Sequence, residues 1–252
     1  MKLRELLLAI EKIANNKGLS RPYIVGGLVR DKLLDRVENI EDVDLTTGDA
    51  GIHSLAKHLA VKLGNEAIYK EMPDGHASIN IKNDIKLDFS SNFIVPGITS
   101  LLVEAGIDRP TEMQKELYSR DFTCNTALMT LDLETILDPT GLAVEDINKK
   151  IIRTCLPPEI TLGLDSDATK RIIRVVYMSA KLNFDIDPSI IDWVRENPQK
   201  VAEPSRDYLT KKIESSLNYN EERTIQALND MNLWSYVPAV SRLAPYMIRS
   251  TL

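Results

Sequence analysis

The sequence predicts an α+β fold, in which a small mixed sheet with helices is followed by an all-helical segment. Strand-like alternation of polar and apolar residues is confined to the first 90 residues. Apolar residues at helical spacing dominate after Leu156-Pro157-Pro158, whose consecutive prolines exclude helix and favour an extended linker. We therefore expect two domains, residues 1–155 and residues 156–252.

The elements of the first domain follow from apolar spacing and from turn residues. Apolar residues follow helical spacing over residues 3–13, and Asn15 to Ser20 ends that helix. The next elements expected are a strand at 23–25, a Gly26-Gly27 turn, a helix at 28–34, a strand at 42–47 and a helix at 52–63. Three more strands are expected at 66–71, 76–82 and 85–90, the last two joined by Asn83-Asp84.

A loop and a second series of helices complete the prediction. Pro96-Gly97 and Arg109-Pro110 favour a loop over residues 91–110, and helical spacing returns from residue 111. In the second domain, the apolar spacing predicts helices at 168–182, 188–196, 205–217 and 222–231.

Charge and hydropathy exclude several classes of protein. The 252 residues carry a formal net charge of -6, so a polyanion would need a local basic surface on this chain. The longest apolar run near the start, Leu6 to Ile10, is too short to span a membrane, and we expect a cytoplasmic protein. Cys124 and Cys155 form no CxxC pair, so we expect reduced thiols and neither a disulfide nor a zinc site.

Three carboxylates are expected on the faces of strands. Period-two alternation places Asp42 and Asp44 on one face of their strand. Asp88 shares the polar face of a later strand with Lys86 and Ser90. Carboxylates in this pattern can hold one or two Mg2+ ions together with phosphate oxygens of a substrate. Taken alone, acidic residues at a strand end also fit a solvent-facing edge.

The Gly26-Gly27 turn favours an anion site close to these carboxylates. A glycine turn that enters a helix presents backbone N–H groups and the positive end of the helix dipole. Arg30 lies one turn into that helix. Taken alone, a Gly-Gly pair also fits an ordinary tight turn, and the combination with Asp42 and Asp44 favours phosphate binding.

Several motifs follow one another in a recognisable order. They are VGGLVRD at 25–31, DVDLTT at 42–47, RDFT at 120–123 with Asn125, DPTG at 138–141, Asp146, IRT at 152–154, LPP at 156–158 and RIIR at 171–174. This ordered set resembles the polymerase-beta-like nucleotidyltransferases, specifically the class II tRNA CCA-adding enzymes and the bacterial poly(A) polymerases. The resemblance covers roughly residues 20–187 and implies a nucleotidyltransferase head followed by a helical neck.

The resemblance implies a role for each matching residue. Asp42 and Asp44 would bind catalytic Mg2+, and Asp88 matches the place of a third acidic residue. The residues implied in nucleotide binding are Gly26, Gly27 and Arg30 for the triphosphate, Arg120, Asp121 and Asn125 for the nucleotide and its ribose, and Arg171 and Arg174 for its base. The implied reaction is attack by an RNA 3′-hydroxyl on the α-phosphate of a nucleoside triphosphate, with pyrophosphate leaving.

The chain also departs from the family's pattern. Ser119 stands where the family has the first Arg of its RRD motif, and Tyr177 stands where it has a further Arg. Ala168 fills the place of a base-reading Asp, and we interpret Asp167, four residues before Arg171, as its substitute. The sequence ends shortly after the neck-like helices, so we expect either a minimal RNA-binding region or a different substrate.

These observations favour one function and leave three alternatives. The implied function is a template-independent RNA nucleotidyltransferase that adds CCA, or part of it, to tRNA 3′ ends from CTP and ATP. The alternatives are a poly(A) polymerase with the same chemistry, a small-molecule nucleotidyltransferase and an inactive nucleotide- or RNA-binding module. The presence of Asp42 and Asp44 argues against the inactive module, and Arg171 with Arg174 favours a base-reading enzyme over a small-molecule one. Lys211-Lys212 is a candidate contact for an RNA phosphate or a solvated face.

Overall fold

The computed structural model describes residues 3–81, 85–238, 240–243 and 246. The chain divides into two compact units, residues 1–147 and residues 148–252. The sequence analysis placed the division after residue 155, eight residues later than the structure does. Residues 151–152 belong to the second unit because they pair with residues 185–186. The expected turn at Asn83-Asp84 lies outside the described residues.

The first unit alternates helices and strands as expected. Its helices are α1 (Leu3–Lys17), α2 (Gly27–Leu33), α3 (Gly51–Leu63), α4 (Ile98–Glu104) and α5 (Glu112–Tyr118), with α6 (Ala143–Lys149) at the division. Its strands are β1 (Tyr23–Val25), β2 (Asp42–Thr46), β3 (Ala67–Glu71), β4 (Ala77–Ile81), β5 (Ile85–Phe89), β6 (Leu128–Met129) and β7 (Ile136–Leu137). Single 3-10 turns follow α3 at Gly64–Glu66 and precede β6 at Thr123–Asn125.

The described strands of the first unit form one seven-stranded mixed sheet. Their order is β3-β4-β5-β2-β1-β6-β7, in which β2 and β5 run parallel and the other neighbours run antiparallel. Parallel neighbours need a long crossover, and the chain from α3 to β4 supplies it. The predicted mixed sheet with helices is therefore confirmed.

One hydrophobic core fixes which face of this sheet carries the polar side chains. Most of the fully buried core residues come from α1, α3 and the sheet, and they include Leu6, Leu7, Ile10, Ile24, Val43, Leu45, Ile52, Leu55, Leu59, Leu87 and Phe89. Because side chains alternate along a strand, the residues between Val43 and Leu45, or between Leu87 and Phe89, point to the opposite face. That opposite face carries the carboxylates.

The second unit is built mainly from helices. These are α7 (Pro158–Thr161), α8 (Ser166–Leu182), α9 (Pro188–Glu196), α10 (Arg206–Tyr219) and α11 (Glu221–Asp230), with 3-10 turns at Pro198–Ala202 and Ser241–Leu243. Helix α8 packs against α10 and α11, and each of the three helices carries fully buried apolar residues, such as Ile173, Ile213 and Leu228. No helix in the described ranges is both long and apolar enough to cross a membrane.

The structure adds short elements that the sequence pattern does not predict. Helix α4 lies within the expected loop at 91–110, and two turns of helix are too few for a periodic pattern to stand out. Strands β6 and β7 have two residues each, as do β8 (Ile151–Ile152) and β9 (Asp185–Ile186), which pair in parallel within the second unit. Neither cysteine forms a disulfide, and burial raises the pKa of Cys124 to about 12.

Candidate active site

Parallel pairing of β2 with β5 brings the three predicted carboxylates together. In the register of this pair, Asp44 lies opposite Asp88 and Asp42 lies opposite Lys86. The side chains of Asp42 and Asp44 therefore share a sheet face with that of Asp88. Asp42 is exposed at the end of β2, Asp44 is half-buried, and Asp88 is buried.

Two basic side chains contact the buried carboxylate. Lys86 Nζ donates to Asp88 Oδ2 and lies 3.7 Å from Asp42 Oδ1. His76, which directly precedes β4, places Nε2 3.3 Å from Asp88 Oδ1. Asp88 is therefore held by the protein itself, whereas Asp42 and Asp44 offer the more accessible oxygen atoms.

The electrostatics of the site oppose the ionisation of its own carboxyl groups. Burial raises the pKa of Asp44, and the neighbouring charges of Asp42 and Asp88 raise it further, although Arg120 lowers it. Nearby protein atoms displace part of the water around Asp42 and also raise its pKa, and the Asp88 carboxylate adds to this while Lys86 opposes it. Such a concentration of acidic groups favours binding of a cation.

A glycine leaves the space beside Asp44. Gly26 precedes α2 with φ 81° and ψ -134°, a backbone conformation that side-chain-bearing residues rarely adopt. A Cβ atom at this position would lie 3.0 Å from Asp44 Oδ2. Glycine is therefore required both by the turn and by the close approach of the backbone to the carboxylate.

The chemistry of the donor atoms at this site fits Mg2+. Asp42 and Asp44 supply hard oxygen atoms, and Mg2+ is commonly held by one or two carboxylates plus substrate phosphates. In the part of the chain that the structure describes, no group of three or more His, Cys, Asp or Glu side chains is arranged around a single metal position. Asp42 and Asp44 are therefore the two carboxylates that would hold such an ion.

Arg30, Asn125 and Asp121 form one hydrogen-bonded network. Arg30 Nη1 donates to Asn125 Oδ1 at 2.8 Å, and its Nε and Nη2 contact Asp31 Oδ1 at 2.9 and 2.8 Å. Asn125 Nδ2 in turn donates to Asp121 Oδ1 at 3.1 Å, which also accepts from Phe122 N at 2.8 Å. Arg30 is 3% exposed, so these bonds make it a support of Asp121, and its predicted contact with a triphosphate stays a prediction.

Arg120 follows α5 and is held by Glu116 of that helix. Its Nε and Nη2 donate to Glu116 Oε1 at 3.1 and 2.7 Å, and Ser90 Oγ donates to the same oxygen at 3.0 Å. Burial lowers the pKa of Arg120, but Glu116, Asp44 and Asp121 raise it by more, so the guanidinium stays charged. A fixed positive charge therefore acts on Asp44 and Asp121.

Ser119 has a structural use where the resembling family has Arg. Its Oγ donates to Lys115 O at 2.7 Å and accepts from Val95 N at 2.9 Å. The buried hydroxyl thereby ties the segment after β5 to the end of α5. Ser119 therefore makes a structural connection at this position, and no second guanidinium stands beside Arg120 in the sequence.

The predicted base-reading residues lie on α8 in the second unit. Asp165 caps this helix, because its Oδ1 accepts from Asp167 N and Ala168 N at 2.8 Å each. The Asp167 side chain is 82% exposed and pairs with Lys170. Arg171 Nη1 donates to Thr161 O at 3.2 Å. Arg174 is half-buried on the same helix, three residues after Arg171.

Sequence reasoning missed Lys86, His76 and Glu116 as members of the site. The shared strand face of Lys86 and Asp88 was a usable signal, since opposite charges two residues apart on a strand can pair. The contacts of His76 and Glu116 depend on tertiary packing, because each partner lies on a different element.

Comparison with known proteins agrees with this geometry. Residues 22–153 match the family described as the poly A polymerase head domain, which is more than half of the chain. A CC-adding tRNA nucleotidyltransferase of Geobacter sulfurreducens is 26% identical over 194 residues, which cover 77% of this chain and 39% of the relative. An A-adding tRNA nucleotidyltransferase of Aquifex aeolicus is 29% identical over 218 residues, covering 82% of this chain and 24% of the relative.

Solved structures give the same result. The crystal structure of the Bacillus stearothermophilus CCA-adding enzyme in complex with CTP is 25% identical with a TM-score of 0.68, covering 96% of this chain and 55% of that chain. The chain thus spans about half or less of the length of these relatives. On the family match and the fold, the chain belongs to the family of class II tRNA CCA-adding enzymes and poly(A) polymerases.

Proposed function

We propose that the chain is a template-independent RNA nucleotidyltransferase that adds C, A or both to tRNA 3′ ends, using CTP and ATP. The observation that carries this proposal is the convergence of Asp42 and Asp44 beside the Gly26 turn, on a sheet face close to Arg120. The names of its relatives, which add CC, A or CCA to tRNA, support the choice of substrate. We assign the nucleotidyltransferase head to the first unit and the neck to the second.

In the proposed reaction, the RNA 3′-hydroxyl attacks the α-phosphate of the nucleotide and pyrophosphate leaves. Asp42 and Asp44 would hold Mg2+, which supplies neutralisation of the charge that develops on the phosphate oxygens. The Gly26-Gly27 turn leaves the backbone free to approach the triphosphate, and Arg30 keeps Asp121 in place through Asn125. Asp121 and Arg120 would contact the ribose and the nucleotide.

Asp88 has a supporting part in this proposal. Its carboxylate is occupied by Lys86 and His76, so it fixes the charge distribution next to Asp44. Asp167, Arg171 and Arg174 would select the base from the second unit. These base contacts and a cytoplasmic location stay predictions.

The proposal is tested by amide substitutions of the carboxylates. Asn keeps the size of Asp but removes a charged ligand, and metal stabilisation of developing charge is worth several kcal/mol. Since 1.36 kcal/mol is tenfold in rate, Asp42→Asn and Asp44→Asn should each lower CTP and ATP incorporation into tRNA by at least about 100-fold. Asp88→Asn should have a smaller effect, because Asp88 is already paired within the protein.

Glu41 provides a matched control. It is an exposed carboxylate directly before Asp42, so Glu41→Gln removes the same charge one position away. This variant should keep near-normal incorporation with circular dichroism unchanged. Near-normal incorporation by Asp42→Asn with Mg2+ present would contradict the proposal that Asp42 binds the metal ion. Extension by A residues only, without C, would instead favour the poly(A) polymerase alternative.

A further inference from the structure

Helices α8 and α10 carry two lysines packed against three tyrosines. Lys212 Nζ lies 4.5 Å from the centroid of the Tyr177 ring and 6.0 Å from that of Tyr208. Lys181 Nζ lies 5.8 Å from the ring centroids of both Tyr177 and Tyr219. The rings of Tyr177 and Tyr219 meet edge to face with centroids 5.7 Å apart. We name these five residues the lysine–tyrosine cluster.

The cluster holds positive charge without a carboxylate partner. Within the described ranges, neither Lys181 nor Lys212 forms an ion pair, and both are held by ring faces. Burial lowers the pKa of Lys212, and the positive charges of Arg174 and Lys181 lower it further. Like charges gathered in this way repel one another, and a bound anion would relieve the repulsion.

The neighbouring lysine shows what an ordinary surface lysine does on this helix. Lys211 Nζ pairs with Asp207 Oδ2 at 2.8 Å, and this hydrogen bond raises the pKa of Lys211. The Lys211 side chain is 72% exposed to solvent. The two adjacent lysines therefore differ: Lys211 is neutralised by Asp207, whereas Lys212 lies near the positive charges of Arg174 and Lys181.

We propose that the lysine–tyrosine cluster binds the phosphate backbone of RNA. The proposal rests on the proposed function, because RNA is the partner that function requires. Lysines from two helices can neutralise neighbouring phosphates, and aromatic rings beside them offer surfaces on which bases stack. Tyr219 is 54% exposed, so part of this residue faces solvent. In a chain with net charge -6, a local basic surface of this kind is needed for RNA to bind.

The test measures binding of a tRNA transcript lacking CCA by fluorescence anisotropy over a series of salt concentrations. Lys212→Met and Lys181→Met each remove one charge while keeping an apolar stem of similar length. Each lost phosphate contact should reduce the slope of log affinity against log salt by about 0.7 to 0.9, and affinity about fivefold at 0.1 M salt. Lys211→Met is the matched control and should bind as the wild type does.

A second pair of variants separates binding from folding. Tyr177→Phe keeps the ring and should bind RNA normally, whereas Tyr177→Leu should weaken binding. Lys212→Met removes like-charge repulsion, so its unfolding temperature should not fall below that of the wild type. Wild-type affinity and salt slope in both Lys181→Met and Lys212→Met, or equal losses in Lys211→Met, would overturn the proposal.

The outcomes also separate this proposal from the proposed function. If the wild type binds the transcript through Lys181 and Lys212 but adds no nucleotide, the RNA surface stands and the enzymatic proposal fails. If the wild type adds nucleotides while both lysine variants bind normally, only the RNA surface is wrong. Tighter binding of polyglutamate than of the transcript would identify an acidic protein as the partner and overturn the proposal.

Discussion

Replacement of Gly26 by alanine should damage both the fold and the carboxylate site. Gly26 has φ 81° and ψ -134°, where any side chain is strained. Residues forced into such sparsely populated regions cost about 1 to 3 kcal/mol each. We therefore expect Gly26→Ala to lower the free energy of unfolding by that amount.

The added methyl group also acts on Asp44. The new Cβ atom would lie 3.0 Å from Asp44 Oδ2, so the carboxylate must move by a few tenths of an ångström. Misplacement of a reacting or binding group by 1 Å can cost about 100-fold in rate. Since the shift here is a few tenths of an ångström, we expect nucleotide incorporation to fall by roughly 3-fold to 10-fold in addition to the loss of stability.

Gly64 provides a matched control for the backbone strain alone. It ends α3 with φ 52° and ψ -127°, and a Cβ atom there would meet nothing within 4 Å. Gly64→Ala should therefore lose a similar amount of stability in urea denaturation and keep its activity once folded. If Gly26→Ala incorporated nucleotides as well as Gly64→Ala does, the close approach of Gly26 to Asp44 would have no part in catalysis.

Three further predictions concern individual side chains. The pKa of Asp44 is raised in the folded state above its ordinary value of 3.8. Its contribution to the free energy of unfolding is therefore fully present below pH 3.8 and is lost as the pH rises through the folded-state pKa. With EDTA present to remove metal, urea denaturation at pH 7 should show Asp44→Asn to be more stable than the wild type, and the difference should be smaller at pH 4. A variant that is less stable than the wild type at pH 7 would contradict this electrostatic explanation. Asp121→Ala should narrow the preference for CTP over dCTP by about 1 to 3 kcal/mol, the cost of one lost buried hydrogen bond, whereas an unchanged preference would remove Asp121 from ribose recognition. Asp167→Ala should raise misincorporation of UTP or GTP without lowering thermal stability. Asp165→Ala removes the helix cap and should lower the free energy of unfolding by about 1 kcal/mol. Unchanged nucleotide choice in Asp167→Ala would mean that Asp167 is a surface acid with no part in base selection.

The sequence was informative where a local pattern determines the side-chain direction. Period-two alternation in β2 correctly predicted that Asp42 and Asp44 share a face, because the pleat enforces it. The glycine turn before α2 was predicted for a similar reason, since a sharp turn from a strand into a helix needs a residue with positive φ. Both features are properties of neighbouring residues along the chain.

Features that depend on strand order could not be predicted in this way. Asp88 meets Asp44 because β5 returns in parallel beside β2, after a crossover through α3, β3 and β4. The same return brings Lys86 next to Asp42, and the turn before β4 brings His76 next to Asp88. Two-residue strands such as β6 are too short to show a period, so the full extent of the sheet emerged only from the structure.

The proposed tRNA nucleotidyltransferase activity depends on the carboxylates of β2. To test this dependence, the chain is incubated in the presence of Mg2+ with a tRNA transcript that lacks CCA. CTP alone, ATP alone or both are supplied, and the RNA 3′ ends are then sequenced. We expect addition of C, A or both by the wild type, and at least about 100-fold less addition by Asp44→Asn under the same conditions. Absence of any added nucleotide in the folded wild type, or equal addition by Asp44→Asn, would contradict it.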